Sequence, residues 1–328
     1  MCHMFANNYA DSISVENILA TWKKFLRGKR HKKDVMIFGL HLAENLSMLY
    51  RELVDKIYVH GPYKAFNVSD PKPRSIHKAS VKDRVVHYLL YSMLYPYFDA
   101  RFIYDSYSCR KEKGTHRARD RFVEFARKVS QNNTRTCFVL KGDIRKFFAS
   151  IDHAILLQIL KRHIANDDII WLLEKIIKSF CTTQKGVGLP LGNLTSQLLV
   201  NIYMHEFDMY IKQELREKYY VRYADDFVIL SEDREHLENA IQIIRGFLTE
   251  KLYLSLHGDK TYIKTYASGV DFLGWVHFPR YRILRTSTKK RIIKNMQWYP
   301  KPETVSSYRG LLQHGNTYKI QKLVGLHL

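Results

Sequence analysis

Apolar residues recur at helical spacing over residues 14–27, where Val15, Ile18, Leu19, Trp22, Phe25 and Leu26 form one stripe behind Ser14, an N-cap residue. A basic run, Lys29 to Lys33, follows Gly28 and predicts an exposed connection. A second helix fits residues 38–57. Turn residues around Gly61-Pro62 and Asp70-Pro71-Lys72-Pro73-Arg74 bracket a short extended piece at 65–68. Residues 81–98, rich in Tyr and Leu, read as another helix.

The pattern then alternates. A β-branched and aromatic run at 136–142 predicts a strand that ends at Asp143. Residues 153–180 and 194–218 are helical in period. Two compact strands follow, at 219–223 and 227–231, joined at Ala224-Asp225-Asp226. One more helix fits 233–252, and strand-like pieces lie at 253–257, 261–265 and 270–278. No internal repeat is visible. This order predicts an α+β fold, with helices packed on an antiparallel sheet.

Charge narrows the function classes. The chain of 328 residues carries 53 Lys and Arg against 32 Asp and Glu, a formal net charge of +21. Such an excess points to a polyanionic partner, either nucleic acid or an anionic membrane. The membrane is disfavoured. Residues 186–205 lack Lys, Arg, Asp and Glu, but they contain Pro190, Asn193, Gln197 and Asn201, which are costly in a bilayer. From 279 to the end, eleven Lys or Arg stand against a single acid, Glu303, which suits phosphate-backbone contact. The cysteines, Cys2, Cys109, Cys137 and Cys181, are scattered with no C-x-x-C pair. They suggest buried thiols in a reducing cytoplasm rather than zinc or disulfides.

Asp225 and Asp226 are adjacent carboxylates between apolar strands. An Asp-Asp pair at a turn is commonly turn chemistry alone. Here the flanks (Val221, Phe227, Val228, Ile229, Leu230) are too apolar for a surface hairpin, so the charges would repel at the edge of a core. A divalent cation relieves that repulsion. Asp143, at a strand end, supplies a third carboxylate, and such a set can hold two Mg²⁺ ions about 4 Å apart. Asp152 is a fourth candidate, although its context fits an N-cap better.

At these residues the chain resembles reverse transcriptases. Tyr223-Ala224-Asp225-Asp226 matches the family's Tyr-x-Asp-Asp box. Lys141-Gly142-Asp143-Ile144-Arg145-Lys146-Phe147-Phe148 matches its first palm motif. Leu189-Pro190-Leu191-Gly192-Asn193-Leu194-Thr195-Ser196-Gln197 stands where the family has Gly-x-x-x-Ser. Phe272-Leu273-Gly274-Trp275 resembles the primer-grip turn, preceded by the basic Lys260. Lys72, Pro73, Arg74 and Asp83-Arg84-Val85-Val86 resemble the fingers motifs. The motifs run in order over roughly residues 60–278.

The resemblance implies a right-hand polymerase: an N-terminal extension and fingers at 1–100, a palm with the remaining fingers elements and primer grip at 101–278, and a short basic helical thumb at 279–328. It leaves no length for an RNase H, endonuclease or maturase segment. It implies an RNA-directed DNA polymerase with catalytic Asp143, Asp225 and Asp226, and a metal set of Asp143, Ile144, Asp225 and Asp226 for two Mg²⁺ ions. Template RNA, the RNA/DNA hybrid and dNTPs are the implied partners, and a prokaryotic or phage-encoded cytoplasmic enzyme the implied setting.

Most of the family has Gln-Gly and Ser-Pro in the middle motif. Leu191-Gly192 and Ser196-Gln197 instead resemble reverse transcriptases of diversity-generating retroelements. Those enzymes perform mutagenic retrohoming: they copy a template-repeat RNA with errors opposite adenine, and work with a small basic accessory variability protein. A compact retron-like or antiviral-defence enzyme is the alternative within the class. A catalytically silent RNA-binding protein of the same fold is the alternative outside it.

Further nucleotide-site candidates are Lys72, Arg74, Phe148, Leu191, Gly192, Gln197 and Lys260. By its offset from Asp143, Phe148 is a steric gate against a 2′-hydroxyl, and Phe147 points the other way along an extended segment. Gly192 either lets backbone approach the nucleotide or makes a simple turn. Lys260 protonates the leaving pyrophosphate, neutralises it, or is merely solvated. Nucleic-acid contacts are expected at Arg285, Lys289, Lys290, Arg291 and Lys294, with stacking by Tyr281, Trp298, Tyr299 and Tyr308.

Overall fold

The computed structural model describes residues 4–69, 73–297 and 300–326. In chain order its helices are α1 (Tyr9–Ser12), α2 (Val15–Phe25), α3 (Lys33–Leu40), α4 (Leu42–Val54), α5 (Val81–Asp99), α6 (Thr115–Val129), α7 (His153–His163), α8 (Asp167–Lys178), α9 (Leu194–Met209), α10 (Arg234–Leu252), α11 (Thr286–Met296), α12 (Pro302–Leu312) and α13 (Tyr318–Leu323). Its strands are β1 (Lys64–Val68), β2 (Arg74–Lys78), β3 (Phe138–Asp143), β4 (Tyr220–Tyr223), β5 (Asp226–Ser231), β6 (Tyr262–Thr265), β7 (Val270–Phe272), β8 (Trp275–His277) and β9 (Arg282–Leu284).

The chain divides into two units of interleaved segments. One comprises Met1–Tyr104, Arg145–Tyr210 and Gly246–Ser255. It is mainly helical, with α5 packed on α2 and α9, and α7 on α8 and α9. Ser14 caps α2 by accepting the Asn17 N–H at 3.3 Å, and the buried stripe is Ile18, Trp22 and Phe25. Ser80 caps α5 in the same way through the Asp83 N–H at 3.2 Å. Asp152 is an N-cap too, its carboxylate accepting the Ile155 N–H at 3.0 Å. Each supplies an acceptor to an otherwise orphaned N–H, worth about 1 kcal/mol. β1 and β2 form an antiparallel hairpin.

The other unit comprises Asp105–Ile144, Ile211–Arg245 and Leu256–Leu328. It holds an antiparallel sheet in the order β4-β5-β3-β6. α6 lies on β4 and β5 and buries Ala118, Phe122, Phe125, Ala126 and Val129. A second sheet, β7-β8-β9, precedes α11, α12 and α13, with a shared core of Trp275, Leu284, Ile292, Tyr308, Leu312 and Ile320.

Several elements differ from the sequence expectation. The helix expected at 38–57 is α3 and α4, broken at His41. The one expected at 153–180 is α7 and α8. Asn166 interrupts it because its side chain accepts the N–H groups of Asp168 and Ile169 and starts a new helix. The helix expected at 194–218 ends as α9 at Met209 and continues as a π turn, Tyr210–Glu214. Residues 253–257 make only an isolated bridge, Ile144 to Leu256, and 270–278 is a hairpin rather than one strand. Cys109 and Cys181 are exposed, contrary to the expectation of buried thiols. Cys137 is buried, and burial pushes its thiol up to about 12. Cys2 lies outside the described residues. No described helix is long and apolar enough to cross a membrane.

Candidate active site

β3 brings Asp143 to the end of a buried strand, in register with Asp226 on β5. One position earlier, Gly142 faces Phe227. A Cβ there would sit 2.2 Å from Phe227 Cζ, so only glycine lets the ring cross the strand. β4 and β5 are joined by Ala224-Asp225, with Tyr223 opposite Asp226. Ala224 is left-handed, at φ 56°, a conformation that costs an L-residue roughly 1–2 kcal/mol. The turn is held from below. Arg222, fully buried, donates from Nη1 to the Ala224 carbonyl at 3.1 Å and from Nη2 to Ser106 Oγ at 3.1 Å. The Ile144 N–H donates to the Asp225 carbonyl at 3.1 Å.

These contacts gather Asp143, Asp225 and Asp226 at one edge of the sheet. Asp143 is 7% exposed and accepts from Lys260 Nζ at 2.9 Å. Lys141 Nζ lies 3.2 Å from Asp226 Oδ1, an oxygen that is buried without a hydrogen bond. Burial, then the neighbouring Asp226 charge, pushes Asp225 up to about 6. Burial also raises Asp226, against the pull of Lys141. Among the described residues, no three His, Cys, Asp or Glu side chains converge as a ready cage for a metal ion. The carboxylates nonetheless fit Mg²⁺: they are hard oxygen donors, one has a buried oxygen with no hydrogen bond beyond its ion pair to Lys141, and Mg²⁺ commonly takes one or two carboxylates and leaves the rest to water and substrate phosphates.

Lys141 was readable in the sequence but had no assigned role. It stands two residues before Asp143 on a strand, hence on the same face, and that spacing is the signal. Arg222 and Asp271 were also missed. Arg285, expected to contact nucleic acid, donates to Asp271 at 2.5 Å.

Arg74, Phe148, Leu191, Gly192 and Gln197 lie in the helical unit. Phe148 is half-buried and Phe147 buried, but the segment Phe147–Ser150 is a 3-10 turn, not extended. It follows Lys146 at φ 47°, so the two rings separate through turn geometry rather than strand alternation. Leu191 and Gln197 are half-buried. The loop holding Leu191 is tied to β2: the His77 N–H donates to the Leu191 carbonyl at 3.0 Å, and Asn193 Nδ2 donates to the His77 carbonyl at 2.9 Å. Gly192, at φ 103°, approaches Ile76, where a Cβ would sit 2.7 Å from Cγ2. Arg74 is exposed at the start of β2. Lys72, Trp298 and Tyr299 lie outside the described residues.

In the primer-grip segment, Phe272 and Trp275 are buried, and the Leu273-Gly274 turn, with both φ positive, is partly exposed. On α11, Lys289, Lys290 and Lys294 are exposed and Arg291 is half-buried. Tyr281 is exposed and stacked on Phe278. Tyr308 is not a stacking surface: it is buried, and its hydroxyl accepts from Asn295 at 2.8 Å.

A family model for reverse transcriptase (RNA-dependent DNA polymerase) matches residues 68–277. Protein YkfC of Escherichia coli K12 is 29% identical over 274 residues, which cover 71% of each chain. The group II intron-encoded protein LtrA of Lactococcus lactis is 21% identical over 320 residues, 76% of this chain and 51% of its own. Among solved structures, telomerase from Candida albicans in complex with a telomeric RNA fragment aligns with a TM-score of 0.54 at 12% identity. That alignment covers 81% of this chain and 53% of that one. The likeness is one of fold, and it agrees with the α+β arrangement read from the sequence.

Proposed function

The chain belongs to the reverse transcriptase family, and from that premise we propose that it copies an RNA template into cDNA, with Asp143, Asp225 and Asp226 as its catalytic carboxylates. The observation that carries this reading is the gathering of these acids on paired strand ends, at a strained turn held by a buried arginine. Asp143, Asp225 and Asp226, with Ile144 beside them, would hold Mg²⁺. When bound, a pair of such ions supplies charge stabilisation for phosphoryl transfer and a more acidic primer hydroxyl. The chain's own part is positioning. Lys141 and Lys260 neutralise the carboxylates within the folded protein. Phe148 excludes a 2′-hydroxyl; Lys72, Arg74 and Lys260 meet the triphosphate; Leu191, Gly192 and Gln197 face the nascent pair. Fingers span 1–100, palm 101–278 and thumb 279–328. Primer extension on an RNA template with dNTPs and Mg²⁺ tests the reading, and absence of cDNA overturns it.

The finer assignment is a diversity-generating retroelement, with template-repeat RNA and a small basic accessory variability protein as partners. Leu191-Gly192 and Ser196-Gln197 support it. A template-repeat and variable-repeat pair beside the gene is the expected genomic context, and its absence favours a retron or defence role.

Leu191 is apolar and cannot hydrogen-bond the incoming nucleotide. A site with fixed hydrogen bonds rejects mismatches far better than an apolar surface. Leu191→Gln is expected to lower misincorporation opposite template adenine more than it lowers total synthesis. Sequencing cDNA made by both enzymes on one adenine-rich RNA checks this; an unchanged error spectrum removes Leu191 from the mechanism and leaves Gln197 to test.

The basic C-terminal segment supplies sequence-independent grip. Reversing Lys289, Lys290 and Arg291 to Glu is expected to weaken primer–template binding. Each lost phosphate contact flattens the log–log salt slope by about 0.7 to 0.9. Anisotropy titrations across a salt series give the slope directly, and an unaltered slope means that this helix does not touch nucleic acid.

A further inference from the structure

α6 starts with no acidic residue in its first turn and no side-chain cap, with Gly114 at the N-cap position. His116 and Arg119 lie one turn apart on it. Arg119 is 2% exposed, and its guanidinium stands 5.6 Å from the Trp275 ring. Arg282 stands 5.7 Å from the same ring. The loop after α12 closes onto this indole. Gly315 packs so tightly that a Cβ would sit 2.1 Å from Trp275 Cζ3. Arg282 Nε donates to the His314 carbonyl, and the Asn316 N–H donates to the Arg282 carbonyl at 2.9 Å. This fixes the His314 ring 4.0 Å from that of His116.

Two guanidiniums and two imidazoles thus crowd together. The acid facing them is Asp120, 3.5 Å from Arg282 Nη1, and its side chain is 70% exposed. Arg119 Nη2 meets His116 Nδ1, so that ring nitrogen accepts and Nε2 carries the proton. Arg119 Nε is buried without a hydrogen bond. Partial burial and the Arg119 guanidinium hold both imidazoles below their ordinary range. Two guanidiniums and two imidazoles assembled by three separate segments, with a buried donor unanswered and the Asp120 carboxylate that faces them largely exposed, suit an anion.

We propose that His116, Arg119, Arg282 and His314 form a binding site for a backbone phosphate of the nucleic acid that the protein holds. The ligand class rests on the polymerase reading; the anion site rests on the cluster itself. A bound phosphate favours the imidazolium form of His314, and that of His116 once its Nδ1 turns from the Arg119 guanidinium to the phosphate. By linkage, affinity therefore rises as pH falls through the imidazole range. It gains up to roughly tenfold for each imidazole whose pKa the phosphate raises by one unit.

The test compares the full chain with the His116→Gln/His314→Gln double variant, leaving Arg119 in place because it packs on Trp275. Primer–template binding is measured by anisotropy from pH 8 to pH 6 and across salt. The wild type is expected to tighten on acidification more than the variant, and the variant's salt slope to be lower by about 0.7 to 0.9. Equal pH responses and equal slopes overturn the proposal. In parallel, the histidine ring resonances are titrated with inorganic phosphate and with a short phosphodiester. Raised pKa values for His116 and His314 support the site even if the wild type fails to bind duplex, a failure that would fall on the polymerase reading. Unmoved resonances with both ligands overturn the site. A response to inorganic phosphate alone overturns the nucleic-acid assignment.

Discussion

Asp225→Asn and Asp226→Asn are each expected to lower cDNA synthesis by more than about a thousandfold, while the chain stays folded. On the proposed assignment both acids would stand where negative charge builds up during nucleotidyl transfer, and an amide cannot balance a divalent cation. The fold gives a second readout. Asp225 is raised from 3.8 to about 6 by burial and by Asp226. A carboxyl raised in the folded state binds its proton more tightly there than in the unfolded chain. Its stabilising contribution is present below about pH 4 and is lost as pH rises through 6. At neutral pH without metal, ionised Asp225 therefore destabilises the fold. Asp225→Asn should remove this and raise stability in EDTA by on the order of 2 kcal/mol. Denaturant unfolding of both proteins at pH 4 and pH 7.5 measures it. The gain should appear at pH 7.5 and shrink at pH 4. Near-normal extension by either variant overturns the assignment of the triad.

The expected pairing of lost activity with gained stability reflects acids concentrated at the edge of a core, and that same placement makes the site legible in the sequence. Charged residues in an apolar run break a strong pattern, so Asp143, Asp225 and Asp226 stood out from Leu140, Phe227 and Val228. Caps were legible for a related reason: Ser14, Ser80 and Asp152 satisfy N–H groups within a few residues, and local chemistry is written locally. Elements held by distant partners were not. β2 is a polar, largely exposed segment whose structure comes from pairing with β1. α6 is dense in charge, and its buried stripe, Ala118, Phe122, Phe125, Ala126 and Val129, is narrow enough to pass for a solvated linker. Arg222 sits inside a strand whose neighbours suggest nothing polar. Its role depends on Ser106, far away in sequence, and on the carbonyl exposed by the Ala224 turn. The His116–His314 cluster joins segments from opposite ends of this unit's chain, so no motif could announce it.

Phe148→Ala is expected to let the enzyme accept ribonucleotides, with dNTP preference falling by roughly a hundredfold. The ring is only half-buried, whereas its neighbour Phe147 is buried at 4% exposure, so a 3-10 turn has divided two adjacent aromatics between core and surface. The turn is fixed near its start, where the Leu189 N–H donates to the Phe148 carbonyl at 2.8 Å. That bond uses backbone and survives truncation of the side chain. The substitution therefore removes bulk without moving the segment. It opens space for a 2′-hydroxyl but adds no attraction for one, so discrimination should fall mainly through better use of rNTPs rather than worse use of dNTPs. Single-nucleotide incorporation with matched dNTP and rNTP, each as kcat/KM, separates the two. A loss confined to dNTP use, with melting lowered, would make Phe148 a packing residue and put the sugar filter elsewhere. Truncating the buried Phe147 in the same way gives the contrast: a large fall in stability, about 3–5 kcal/mol, with no relaxed sugar selection.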